Sequence, residues 1–520
     1  MTSPPSRPAR LDGLLAAAAR DHPDAVAVTD GRRAVTYRSL EQTVRGIAGA
    51  LSAAGVRPGD RVGVYLPKGV DAVAAVYAVL RSGAVAAPLD VGGPHERTAR
   101  MVENAGVGFL ITSPDTEASA AQVGERVGHG PAPAGHLAPG LSVLPLVRPT
   151  ADLPQATGGG YLLFTSGSTG WPKGVLLSHG NVLHFVRWAV DELGVRSSDR
   201  IGSQSSLTFD LSTFDIFGSA MSAARLVLLP EPLKAFPRDV VRWLAAERIS
   251  VFYAVPTLYQ ALLHKGGVET TPLPDLRVAA FAGEPFPAGD LERCVSVLKA
   301  AEFYNLYGPT ETNVCTFEKL PPGWTARDAL PVGRAIAGVH VSLVDREHRV
   351  TSDEGEIAVA GPTVFLGYLQ DGRLREHTTP ITLEDGTTRR AYLTGDLGHY
   401  GGDGRIHLRG RRDHQVKRRG YRIDLLDIES VVQEIPAVRS CAAVWTDRDR
   451  GGGRIRLYAV ADGVSEQRLR EAVFEVLPRH MMPDHVHLVD RLRLTDRGKI
   501  DRESLASAEP TQGRDHGKRR

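Results

Sequence analysis

Short apolar runs recur along this chain with amphipathic stretches between them, and that alternation limits its fold more than any other feature. Val62 to Leu66 is an apolar run closed by Pro67. Asp71 can cap a helix that runs to Gly83, where glycine stops it. Val85 to Leu89 reads as the next strand, Pro94 can open a further helix ending near Gly106, and Phe109 to Ile111 reads as a third strand. Repeated strand, crossover helix and strand predict a parallel sheet with helices on its faces. Upstream, Leu40, Val44, Ile47 and Leu51 form the apolar stripe of a helix. Residues 114–157, rich in Pro, Gly, Ala and Ser, read as a long surface connection. A second alternating set follows, with strands at Leu226 to Leu229, Val251 to Val255, Val278 to Ala282 and Phe303 to Leu306. Helical patterns lie at Val240 to Arg248 and Thr257 to Leu263. Two such blocks in tandem predict two stacked doubly wound sheets. From Val339 the strands become shorter and hairpin-like. After residue 413 a smaller α+β pattern appears, with a helix at Leu425 to Gln433 and strands at Ala442 to Val444 and Ile455 to Val460.

The length of 520 residues exceeds what one compact core supports, so two or more domains are expected. No apolar run approaches the roughly 20 residues of a membrane helix, and MTSPPSRPAR lacks the apolar segment of a secretory signal. Cys294, Cys315 and Cys441 are scattered without CxxC spacing, which fits a reducing, cytoplasmic setting. The net charge of +2 gives no reason to expect bulk nucleic-acid binding. The basic end RDHGKRR reads as a solvated tail, assigned here as residues 506–520.

The most specific local signal is TSGSTGWPKG, Thr165 to Gly174, which follows the apolar run Tyr161 to Phe164. Small hydroxyl residues and glycines let backbone N–H groups approach an anion, and Lys173 adds charge. The composition suits a triphosphate. It is not a Walker A loop, because Pro172 and Gly174 flank the lysine where that loop needs Gly and Ser/Thr.

This stretch resembles the phosphate-binding loop of the adenylate-forming superfamily, which includes acyl-CoA ligases, luciferases and the adenylation domains of nonribosomal peptide synthetases. Further motifs follow in that family's order: VTYRSL, LRSGAVAAPLD, NLYGPTET, GEIAVAG, YLTGDLG, GRRDHQVKRRG, LPRHMMP and TDRGKID. The resemblance implies an α/β fold in which a large N-terminal region, residues 1–412, holds the two stacked sheets plus a distorted β-barrel. A small mobile α+β domain, residues 413–505, closes over it. It also implies ATP and Mg²⁺ as cofactors.

The resemblance assigns roles residue by residue. Thr165, Ser166, Gly167, Ser168, Thr169, Gly170 and Lys173 cradle phosphates. Asn305, Tyr307, Gly308, Thr310, Asp396 and Arg411 bind the rest of the nucleotide, with Tyr307 stacking on adenine and Asp396 accepting both ribose hydroxyls. Glu311 holds Mg²⁺. Lys499 bridges the substrate carboxylate and the α-phosphate, where two anions must meet. Asp413 is the hinge about which the small domain turns, bringing a face carrying Lys417 to admit a thiol. Leu393, Leu366, Leu426, Asp424 and Asp427 depart from the usual peptide-synthetase pattern and mark a divergent branch.

TFDLSTFDIF, Thr208 to Phe217, resembles the FDxS motif of amino-acid-activating domains, in which the Asp pairs with the substrate α-ammonium. Asp210 is then the amine anchor, since a buried carboxylate needs a cationic partner. By itself, either Asp210 or Asp215 could simply cap the following helix. The resemblance gives the pocket as Asp210, Leu211, Phe214, Tyr253, Ala280, Ala282, Leu306, Val314 and Cys315, completed by Lys499. Apart from Asp210 and Lys499 it carries no charge, and its bulky residues leave room for a compact apolar side chain. The set is most similar to that of free-standing prolyl-adenylating enzymes that feed pyrrole-2-carboxylate formation, departing at Phe214 and Ala280, where two Leu are expected. The expected partner is a stand-alone peptidyl carrier protein with a phosphopantetheine arm. Alanine, glycine and pipecolate remain alternatives to proline. A carboxylic acid:CoA ligase and a non-catalytic binding protein are the competing classes.

Overall fold

The structure, a computed structural model, describes residues 9–128, 135–146, 159–165, 172–328, 330–412, 415–418, 420–446, 453–493 and 500–507. These divide into two compact units. The larger holds the described residues up to 412 together with 420–422, and the smaller holds 415–418 and the residues from 423 onward.

The larger unit contains two nine-stranded sheets. The first runs, in spatial order, through Arg334–Ala335, Thr316–Lys319, Glu302–Tyr307, Val278–Phe281, Val251–Ala254, Arg200–Ser203, Arg225–Leu228, Val26–Thr29 and Ala34–Thr36. Its middle strands are parallel and its ends antiparallel. The second sheet centres on Arg61–Val64, which pairs in parallel with Val85–Pro88 and with Phe109–Thr112. These central strands are buried on both faces, which explains their continuous apolar runs. One apolar core joins both sheets and the helices beside them. The helix Val70–Arg81 is buried on nearly every side, as its apolar sequence requires. Tyr37–Ala53 turns Leu40, Val44, Ile47 and Leu51 into the core, and Thr36 caps it by accepting the Ser39 N–H.

Three expectations are corrected. Asp71 does not cap its helix; Gly69 occupies that position and Asp71 pairs with Arg33 at 2.8 Å. The stretch from 114 to 157 is not an unstructured connection. Its described part contains the helix Glu117–Arg126 and the strands Gly135–Ala138 and Leu141–Pro145, which extend the second sheet. The helix Arg502–Ser507 runs two residues into the stretch assigned as tail, and residues 508–520 lie outside the described chain.

Beyond the second nine-stranded sheet, His340–Val344, Gly355–Ala360, Thr388–Tyr400, Thr379–Thr382 and Ile406–Arg411 form a five-stranded antiparallel sheet where the distorted barrel was expected. In the smaller unit, Val438–Thr446, Arg454–Ala461 and His485–Leu488 make a three-stranded sheet, accompanied by helices Leu425–Gln433 and Glu466–Val476.

Candidate active site

Antiparallel pairing of Thr388–Tyr400 with Ile406–Arg411 sets Asp396 opposite Arg411. The Arg411 guanidinium donates to Asp396 Oδ1 and, at 3.2 Å, to the Thr394 carbonyl. From the first nine-stranded sheet, the Tyr307 hydroxyl donates to Asp396 Oδ2 at 2.6 Å. Asp396 is buried yet bonded on both oxygens, which offsets the cost of removing a carboxylate from water. Burial pushes the Tyr307 phenol far above its ordinary range, and the Asp396 charge adds to the effect. Tyr307 therefore stays a neutral donor at any working pH.

The loop after Tyr307 turns back tightly. A Cβ on Gly308 would stand 1.7 Å from the Asn313 carbonyl oxygen, so only glycine fits. The turn places two of the expected site residues, Thr310 and Glu311. Thr310 Oγ1 donates to Asp210 Oδ2 at 2.8 Å, tying the expected amine anchor to the loop. Glu311 is 1% exposed and accepts the Tyr368 hydroxyl at 2.7 Å and the Arg422 guanidinium at 3.1 Å. The Lys173 ammonium lies 5.6 Å from the centre of the Tyr368 ring, the range of a cation–π contact. Lys173 also faces Thr165 across the base of the hairpin that carries the glycine-rich loop.

The residues assigned to the apolar pocket lie on separate elements within the core. Strand register puts Tyr253 beside Ala280, and Ala280 beside Tyr304 on the next strand. The Tyr253 ring meets Phe214 edge-on, with centroids 6.1 Å apart. Leu211, Phe214, Tyr253, Ala280, Ala282, Leu306, Val314 and Cys315 all belong to one buried cluster. Burial pushes the Cys315 thiol up to about 12, which leaves it an inert wall. A π-helical turn over Phe214–Gly218 follows Asp210 in the chain and carries Asp215, which is fully buried. Lys68 accompanies it and donates to the Ser203 and Ser205 carbonyls at 2.8 and 2.6 Å. Burial raises the Asp215 carboxyl and lowers the Lys68 ammonium, while each charge partly offsets the shift of the other.

Some of the remaining expected site residues fall outside the described chain. The Asn305 amide donates to the Pro331 carbonyl at 2.8 Å and braces the loop that leads away from the site. Lys417 is half-buried on the strand Gln415–Arg418 in the smaller unit. Ser166, Gly167, Ser168, Thr169, Gly170, Asp413 and Lys499 lie outside the described residues. Sequence reasoning missed Tyr368, Arg422, Lys68 and Asp215. Two of these had a local signal, since Tyr368 ends FLGY and Arg422 follows GY at the start of a strand.

A Mg²⁺ ion carried on a triphosphate needs few protein ligands, often one carboxylate beside the phosphates. Glu311 supplies a buried carboxylate of that kind, and among the described residues no group of three or more His, Cys, Asp or Glu is built to hold an ion alone. Glu311 fits the cation by its chemistry, although its Oε2 accepts from the Arg422 guanidinium, which a bound ion would displace.

Residues 15–369 match the AMP-binding enzyme family, and residues 427–499 match the AMP-binding enzyme C-terminal domain. The chain belongs to the AMP-binding enzyme family. Within it, the chain is 34% identical over 502 residues to an L-proline--[L-prolyl-carrier protein] ligase of Pseudomonas fluorescens, covering 93% of this chain and 96% of that protein. A ligase of the same name from Streptomyces coelicolor is 33% identical over 510 residues, covering 92% and 93%. Among solved structures, an amide bond synthetase from Marinactinospora thermotolerans aligns with a TM-score of 0.81 at 25% identity, over 96% of this chain and 99% of that one. An NRPS protein containing adenylation and PCP domains aligns at 0.77 with 26% identity, over 95% and 84%. Both share the mixed α/β architecture with a large N-terminal region and a smaller C-terminal one.

Proposed function

We propose that this AMP-binding enzyme activates a small amino acid, L-proline first among them, as its aminoacyl-AMP and loads it onto the phosphopantetheine thiol of a separate carrier protein. The observation that carries this reading is Asp210. It is a partly buried carboxylate whose Oδ2 accepts from Thr310, on the same turn that presents Glu311, and the residues expected to line the substrate pocket are otherwise uncharged. An organic acid without an amine has no use for a negative charge there, whereas an ammonium group neutralises it. The two prolyl-carrier protein ligases noted above support the choice of substrate and acceptor.

In the first step a carboxylate oxygen of the amino acid bonds to the α-phosphorus, the α–β bridging P–O bond breaks, and pyrophosphate leaves. Asp210 orients the ammonium group, Asp396 accepts the ribose hydroxyls, and Lys173 faces the phosphates. Glu311 would hold Mg²⁺, which when bound supplies positive charge to the phosphates. Lys499 is proposed to join the two anions. In the second step the carrier thiol loses its proton to water, its sulfur bonds to the acyl carbon, the bond from that carbon to the phosphate oxygen breaks, and AMP leaves. Asp413 and Lys417 are proposed to serve the change between steps.

Amino-acid-dependent exchange of pyrophosphate into ATP tests the reading. Across the proteinogenic amino acids, benzoate and a fatty acid, L-proline should drive the fastest exchange. Asp210→Ala should lower it by about a hundredfold or more, as loss of a charge partner for the substrate ammonium implies. Exchange with benzoate that survives Asp210→Ala would remove the amine-anchor argument and favour an acid:CoA ligase.

A further inference from the structure

Glu311 is the carboxylate that fits a nucleotide-borne cation, and a cation already stands against it. Arg422 Nη1 lies 3.1 Å from Glu311 Oε2, while Tyr368 takes Oε1 at 2.7 Å. The Glu311 side chain is 2% exposed and that of Arg422 18%, so little water screens their interaction. A divalent ion on Oε2 and a guanidinium at hydrogen-bond distance from the same oxygen repel each other in this setting. Arg422 is also the last residue of the chain to group with the larger unit, and the smaller unit resumes at Ile423.

We propose that Arg422 and the divalent cation are alternative partners of Glu311. The carboxylate holds the cation while the triphosphate is present and holds Arg422 once cation and pyrophosphate have left. The buried carboxylate is then never without a positive partner. Each exchange also frees or fastens the residue from which the chain passes into the smaller unit. Arg422 acts through Glu311 and touches no reacting atom, which makes it a positioning residue. The proposal rests on the assignment of Glu311 given above.

Mn²⁺ binding, read by electron paramagnetic resonance in the presence of the α,β-methylene analogue of ATP, tests it without turnover. Arg422→Met and Arg422→Gln should each bind Mn²⁺ about fivefold or more tightly than the parent protein, because both remove the competing charge. Arg422→Lys keeps the charge and should stay close to the parent. Tyr368→Phe removes only a neutral donor and should not tighten binding, which separates charge competition from general loosening. If the parent protein binds Mn²⁺, Glu311→Gln abolishes that binding, and neither Arg422 variant binds more tightly, the competition is overturned while the Glu311 assignment stands. If Glu311→Gln binds Mn²⁺ as the parent does, that assignment itself fails.

Discussion

Replacing Tyr307 by Phe removes one hydroxyl and leaves Asp396 with Arg411 alone. A hydrogen bond to a charged group contributes about 1.5–3 kcal/mol, so Tyr307→Phe should weaken ATP binding by roughly tenfold or more. Equilibrium binding of a fluorescent ATP analogue measures this, and unchanged affinity would show that the 2.6 Å bond does not position the ribose acceptor. At this scale the site was partly legible in the sequence. Asp210, Tyr307, Glu311 and Asp396 stood in short motifs whose residue types match the charge they must meet. Tyr368 and Arg422 were not legible, because each matters only through Glu311, distant in sequence at 57 and 111 positions. Lys68 was hidden because a lysine beside an apolar stretch looks like a surface residue until the fold buries it, and Asp215 read only as a possible helix cap.

Among elements, the helix His179–Glu192 begins with a buried histidine whose Nδ1 accepts the Leu11 N–H at 3.3 Å. Burial pushes the His179 imidazole down to about 4, with the Arg10 charge adding to it. The unfolded chain binds a proton on this group from about pH 6.5 downward, while the folded chain does not until about pH 4. Stability is therefore complete above pH 6.5 and falls as pH drops, by about 2 kcal/mol at pH 5. Urea unfolding followed by tryptophan fluorescence at pH 7.5 and pH 5 should show this loss, and His179→Asn should reduce it. An equal loss in the variant would place the proton uptake elsewhere. The element pattern itself was read well wherever β-branched runs alternate with helical stripes. It failed at residues 114–157, where Leu141–Pro145 and the edge strand Gly135–Ala138 carry proline, glycine and alanine, and where the edge strand has only one neighbour to satisfy. Such strands are defined by the sheet they join rather than by their own residues.

For the whole molecule, the division into two units predicts that the two half-reactions can be separated. Lys499→Ala should abolish pyrophosphate exchange while leaving the far-ultraviolet circular dichroism unchanged, whereas Lys417→Ala should slow thiol loading more than exchange. Measuring exchange and carrier loading side by side decides this, and equal losses in both assays for Lys417→Ala would remove its assignment to the second step. None of the described helices is long and apolar enough to cross a membrane. The clamp at Asp396 has a further consequence. Tyr307 reaches it from one sheet and Arg411 from another, so a nucleotide seated there is bound by the junction of two layers and not by either alone. On the proposed reading, ATP would be a folding ligand of the whole larger unit. At a hundred times its dissociation constant it adds about 2.7 kcal/mol to the native state by mass action. Because parting the two layers would cost the proposed nucleotide site, that gain would fall on both sheets together, and unfolding with ATP present would be more cooperative than unfolding in buffer alone.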